Sequence, residues 1–250
     1  MQSQIDNNAV SPRTCYPHNA QRVISILFCL VFLGGHAQSI PNAFQGSVDS
    51  LVQARPAGFA QIHGVLGKNR NDTLLMRYVA NTSARNNYAA GQAYALNELG
   101  RSYRNTSQYD RSIVLHREAL GVSEKADNLD FRIYSLNNLG VVYRRISSIR
   151  MAMDSHQRAL ALAQNVKSPS NSLQRSINVS LNGIGNLYLM LNQYDRAISY
   201  FERSLQLEAE LGNVLGLAIN NQNIGKCLEA LGKLDEALDR YRISLAYNEQ

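Results

Sequence analysis

An all-α fold, a solenoid of antiparallel helix hairpins, is what this sequence predicts. Three observations carry the expectation. Four segments align with one another without gaps, each has apolar residues at helical spacing, and a glycine recurs at one register in all four. These glycines are Gly100, Gly140, Gly185 and Gly225, spaced 40, 45 and 40 residues apart. Composition agrees: 45% of the 250 residues are hydrophobic and 18% charged, which excludes collagen-like and strongly disordered classes.

The aligned segments are ALNELGRSYRNTSQYDRSIVLHREAL (Ala95–Leu120), SLNNLGVVYRRISSIRMAMDSHQRAL (Ser135–Leu160), SLNGIGNLYLMLNQYDRAISYFERSL (Ser180–Leu205) and NNQNIGKCLEALGKLDEALDRYRISL (Asn220–Leu245). In the first helix of each unit, Leu96, Leu99 and Tyr103 fall at i, i+3 and i+7, a spacing that makes one apolar helix face. Leu136, Leu139 and Tyr143 repeat it, as do Leu181, Ile184 and Tyr188; Ile224 and Leu228 keep most of it. A glycine inside a helix costs about 1 kcal/mol relative to alanine. Four acceptances of that cost predict close helix–helix approach at the glycine. Ser107, Ser147, Asn192 and Gly232 follow seven residues later and suit a turn, Asn192 and Gly232 as left-handed caps. Asp110, Asp195 and Asp235 then stand near the start of the second helix, where a carboxylate favours the helix dipole. Small residues, Ser112, Ala152, Ala197 and Ala237, predict tight packing of that helix.

Upstream, Asp72–Thr73 predict the cap of a further helix running to about Ala84. Residues 38–70 contain Pro41, Pro56, Gly58, Gly64 and Gly67, and read as a linker with short helical pieces. The solenoid is expected over 71–250. The segment 164–172, with Pro169, accounts for the longer spacing of 45.

The repeated Leu-Gly pair, the tyrosine three residues on, the small residue nine after that, and a later aromatic resemble the tetratricopeptide repeat. His116 and His156 replace that later aromatic in the first two units, and Leu228 replaces the tyrosine in the fourth. The period exceeds the family's usual 34 or so residues, which points to its long-repeat variety. The resemblance implies a right-handed superhelical solenoid that binds a protein or peptide in a concave groove, with no catalysis and no cofactor. It further implies that first-helix residues flanking the Leu-Gly pair face that groove: Asn97, Arg101 and Arg104; Asn137, Asn138, Arg144 and Arg145; Asn182 and Asn186; Gln222, Asn223 and Lys226. Carboxamides can pair with a peptide backbone, and guanidinium groups can clamp carboxylates, so an acidic peptide is the expected partner. The same asparagines could instead bond between repeats, or be solvated like any polar helix surface.

The N-terminus differs from the rest. Val23–Leu33, VISILFCLVFL, is an apolar run of eleven residues preceded by Arg13 and Arg22 and followed by Gly-Gly-His-Ala. That pattern predicts an export signal over residues 1–37, cleaved before Gln38; it is short of the roughly 20 residues that span a membrane. Cys15 and Cys29 would leave with it, and Cys227 would remain alone, without a disulfide partner. The sequence stops after a second helix, so continuation beyond Gln250 is expected. Exported long-repeat arrays resemble the extracytoplasmic portions of bacterial sensor histidine kinases, which implies a sensor input module; the rival expectation is an assembly protein that self-associates through its last repeat.

No Walker loop, dinucleotide fingerprint, HExxH motif, nucleophile elbow or CxxC pair occurs. The net charge of +6 is dispersed, with no basic run of the kind that marks a nucleic-acid arm, and no small-molecule substrate is indicated. His116 and His156 share a register, but no third ligand recurs with them, so packing rather than metal ligation is expected. Asn71, Asn81, Asn105 and Asn178 head N-x-S/T triplets, which matter only in a glycosylating host.

Overall fold

The computed structural model describes residues 39–164 and 166–249; the expected leader lies outside the described residues. Eleven α-helices, one short 3-10 helix (Gly67–Asn69) and no strand occur among them. The four expected hairpins are α4 (Ala89–Asn105) with α5 (Tyr109–Lys125), α6 (Leu129–Arg145) with α7 (Ile149–Gln164), α8 (Asn171–Met190) with α9 (Tyr194–Glu210), and α10 (Val214–Ala230) with α11 (Leu234–Asn248). From α4 to α11 each helix packs on the next in sequence. Successive first helices also meet directly, α4 with α6, α6 with α8 and α8 with α10, so these four form the inner wall of the solenoid.

The hairpin turns close as the residue types predict. Ser107, Ser147, Asn192 and Gly232 are all left-handed, with φ of 59°, 57°, 56° and 77°. The residue after each donates its N–H to the carbonyl of the helix's closing turn: Gln108 to Tyr103 at 2.8 Å, Ser148 to Tyr143 at 2.8 Å, Gln193 to Tyr188 at 2.9 Å and Lys233 to Leu228 at 2.9 Å. This is the Schellman closure, which satisfies carbonyls that the helix end would otherwise leave unpaired.

The recurring glycines have one shared cause. A Cβ built on Gly100 would stand 2.5 Å from the His116 ring, and one on Gly140 would stand 2.5 Å from His156. At Gly185 and Gly225 the obstacles are Phe201 at 2.7 Å and Tyr241 at 2.6 Å. In every hairpin a ring from the second helix therefore lies against bare first-helix backbone. Ser112, Ala152, Ala197 and Ala237 are all buried beside these contacts. Cys227 is buried too, and burial pushes its thiol up to about 11, which disfavours the nucleophilic thiolate.

Three helices precede the hairpins: α1 (Asn42–Ala54), α2 (Phe59–Leu66) and α3 (Thr73–Arg85). Asp72 caps α3 as its side chain accepts from the N–H groups of Leu74 and Leu75, at 2.9 and 3.0 Å. The segment expected as a linker is more ordered than its composition suggests. Val48, Leu51, Ile62 and Leu66 are buried in one core with Met76, Val79 and Tyr94. Its prolines and two of its four glycines fall at helix boundaries: Pro41 precedes α1, Pro56 and Gly58 separate α1 from α2, and Gly67 follows α2, while Gly46 and Gly64 lie inside the two helices. Tyr88 donates to the carbonyl of Pro56 at 2.8 Å and Asn128 to that of Ala57 at 2.9 Å, tying the segment to the first and second hairpins.

Candidate functional site

The inner wall divides the expected groove residues into two groups. Asn97 and Asn137 are both buried, and of the two only Asn137 borders a depression on this wall. Asn97 is fully buried; its amide nitrogen donates to the Ala93 carbonyl and to Ser135 Oγ of the next hairpin, both at 2.9 Å. Its Oδ1 therefore faces His116 Nδ1, at 2.8 Å, as acceptor. Asn137 repeats this one hairpin on: Nδ2 donates to the Ser176 carbonyl at 2.7 Å, while Oδ1 accepts from Ser180 Oγ at 2.7 Å and from His156 Nδ1 at 3.0 Å. Each asparagine joins its own second helix to the next hairpin. A helix face that looks polar in sequence is polar here because it meets another helix through hydrogen bonds.

The same network fixes both histidines as neutral rings protonated on Nδ1. Their Nε2 atoms have no hydrogen-bond partner among the described residues and lie against glycine backbone. Burial, with lesser repulsion from Arg104 and Arg101, holds His116 down to about 3; burial and Arg144 hold His156 down to about 4. These rings are packing groups, and the described residues gather no cluster of three or more His, Cys, Asp or Glu.

Asn138 and Asn223 are also buried, Asn138 donating to the Tyr134 carbonyl at 3.0 Å. Asn182 donates to Asn220 Oδ1 at 2.9 Å and accepts from Asn186 at 2.7 Å, so the α8 and α10 carboxamides form a chain along the wall. Gln222 and Lys226 are exposed.

Of the arginines, Arg101 is already engaged. It donates to Glu98 at 2.8 and 3.1 Å, and Tyr134 donates its hydroxyl to the same carboxylate at 2.7 Å. Glu98 stands three residues before Arg101 on the same helix, but its burial against Tyr134 depends on the second hairpin. Arg104, Arg144 and Arg145 form no ion pair among the described residues. Burial and repulsion from Arg101 lower the Arg104 guanidinium below its ordinary value, and burial and Arg145 do the same to Arg144. These cations therefore crowd one another, and an anion placed among them offsets both penalties.

Two depressions open on this wall and share Val141 and Val179. The first, of about 390 Å³, is bordered by Phe59, Arg101, Arg104, Tyr134, Arg175 and Ser176. Arg175, exposed and without an ion pair among the described residues, completes it from α8. It lies ten residues before Gly185, outside the window flanking the Leu-Gly pair, so only the packing of α8 beside α6 reveals it. Phe59 closes one end by packing on Tyr134, ring centroids 4.7 Å apart. The second depression, of about 210 Å³, lies toward α10 and includes Arg144, Asn182, Asn186 and Glu208.

A tetratricopeptide-repeat sequence model matches residues 91–165 and 176–250. No curated protein matches the sequence. Solved structures share the fold. BtubC (BKLC) from P. vanneervenii superposes with a TM-score of 0.57 at 14% identity, over 84% of this chain and 92% of that one. The TPR-like repeats of a putative kinesin light chain from Podosopora anserina give 0.54 at 15% identity, over 82% and 92%. The apo form of RapI gives 0.56 at 15% identity, over 83% and 66%.

Proposed function

This chain belongs to the tetratricopeptide-repeat family, and from that premise we propose that it is a non-catalytic scaffold holding an extended, acidic segment of a partner protein along its inner wall. One observation carries the reading: Arg104, Arg144 and Arg175 lack carboxylate partners among the described residues and stand on one wall around the apolar patch of Val141 and Val179. Aspartate or glutamate side chains would meet the guanidinium groups, and apolar side chains between them would cover the valines. The N-terminal apolar run supports export of this scaffold, with a sensor input role as one use of it.

The test is a peptide-array screen with wild type and Arg104→Ala/Arg175→Ala. Charge-assisted hydrogen bonds contribute about 1.5–3 kcal/mol each, so losing two weakens binding by about a hundredfold or more. Bound peptides should be enriched in acidic residues, and the double variant should lose them. Peptides without acidic bias, or equal binding by the variant, would count against the reading.

A second reading, self-association, is favoured by the outer face of α11. Leu234, Leu238 and Leu245 are 64%, 47% and 59% exposed. At the matching register of α5, Ile113 and Leu120 pack against the next hairpin, as Ile198 and Leu205 of α9 do. A second copy pairing through this stripe would sediment as a dimer, and Leu238→Glu/Leu245→Glu would return it to monomer. A wild-type monomer at all concentrations would exclude that reading.

A further inference from the structure

Glu208 is a buried carboxylate without a cation among the described residues. It reaches from α9 into the interval between α8 and α10, where the inner wall is least tightly closed. Its exposure is 7%, yet it borders the second depression and forms no ion pair among the described residues. Asn178 Nδ2 donates to its Oε1, and Asn213 Nδ2 donates to its Oε2 at 2.8 Å. Ser204 Oγ in turn donates to Asn178 Oδ1 at 2.5 Å, which fixes that amide. Each carboxylate oxygen is held by one donor and keeps acceptor capacity toward the depression.

The arrangement is particular to this hairpin. At the register of Glu208 the first two hairpins carry Ser123 and Ala163, and at that of Asn178 the other three carry Ala93, Ile133 and Ala218. These are small or apolar packing positions. Room for the carboxylate comes from Gly216, where a Cβ would lie 2.2 Å from the carboxyl carbon of Glu208. Burying an uncompensated carboxylate is unfavourable, and amide donors offset that only in part. A ligand cation would complete the compensation.

We propose that the depression between α8 and α10 is a subsite for a basic side chain, the ammonium of lysine or the guanidinium of arginine, carried by the same peptide whose acidic residues lie on Arg104, Arg144 and Arg175. This rests on the groove-binding reading above. The acceptors present suit such a group: the two Glu208 oxygens, and Asn186 Oδ1, which accepts no hydrogen bond among the described residues. A single carboxylate with amides matches an organic cation better than a hard metal ion, which takes six or more oxygen ligands or tight octahedral geometry. Val141 and Val179 separate this subsite from the first depression, and Arg144 stands on the α6 side. The wall thus reads acid first and base second, from α4 toward α10.

The test uses N-acetylated Gly/Ser peptides carrying two glutamates, alone or with one arginine at successive distances from them, so that only a side chain supplies the cation. Binding is read by fluorescence anisotropy. One spacing should bind about tenfold more tightly than the glutamate-only peptide, as a single charge-assisted bond allows. Citrulline in place of that arginine, uncharged but of the same shape, should abolish the gain on unaltered protein. Glu208→Gln, checked for folding by its melting curve, should abolish it while leaving glutamate-only binding intact. If glutamate-only peptides bind but arginine adds nothing, adds equally at all spacings, or still helps the Gln variant, the subsite is refuted and the groove reading stands. If glutamate-only peptides bind no better than uncharged ones, both are refuted.

Discussion

Lowering the pH from about 7.5 to about 5 should cost this protein on the order of 4 kcal/mol of stability through two histidines. His116 and His156 are buried, each donates from Nδ1 to an asparagine, and each has its bare Nε2 against glycine backbone. A proton on Nε2 would place a charge where the described residues offer no acceptor, close enough to Arg104 and Arg101, or to Arg144, to be repelled. Folded-state values of about 3 and about 4 therefore stand against an ordinary 6.5. Between those limits the unfolded chain binds protons that the folded chain refuses, so stability rises with pH in this window. The contribution is complete above 6.5 and is lost as pH falls toward the folded values. Each pH unit is worth about 1.4 kcal/mol per histidine, so about 1.5 units gives about 2 kcal/mol for each ring. Urea unfolding followed by far-ultraviolet circular dichroism at both pH values measures the loss. The control is His116→Phe/His156→Phe, because Phe201 already fills this place against Gly185 in the third hairpin. That variant leaves two asparagine oxygens a donor short and will be less stable at both pH values, but the difference between them should shrink to about 1 kcal/mol or less. His63, half-buried and also lowered chiefly by burial, contributes equally to both proteins. A double variant with the same pH-dependent loss as wild type would refute the reasoning.

Gly140→Leu should destabilise by about 1–3 kcal/mol, because even its Cβ would meet His156 Nε2 at 2.5 Å; an unchanged urea midpoint would mean that the ring moves aside. Gly183→Ala should act in the same direction from the other side of that ring, where the approach is 2.4 Å, and the two substitutions together should fall short of additivity in the same assay. Under the export proposal the mature protein should begin at Gln38 by intact-mass measurement, and retention of the apolar run would favour an N-terminal anchor.

The helix hairpins, their turns and their small packing residues were legible in the sequence because they are local. A 3.6-residue periodicity, a left-handed turn residue and an intolerable Cβ depend on neighbours a few positions away, and repetition in four registers removed the ambiguity that any one segment would carry. The role of each polar side chain was not legible in the same way. Asn97 and Arg104 belong to the same helix, yet one is sealed against Ser135 and the other stands beside a depression. Arg101 looked as available as Arg104 until Tyr134 and the buried Glu98 claimed it. Phe59 came from a segment that read as linker, and Arg175 and Glu208 from outside the repeat's signature positions. Periodicity specifies which way a residue points around its own helix axis. Each first helix has neighbours on several sides, so whether that direction meets water, a ligand or the next hairpin is decided only when the hairpins stack.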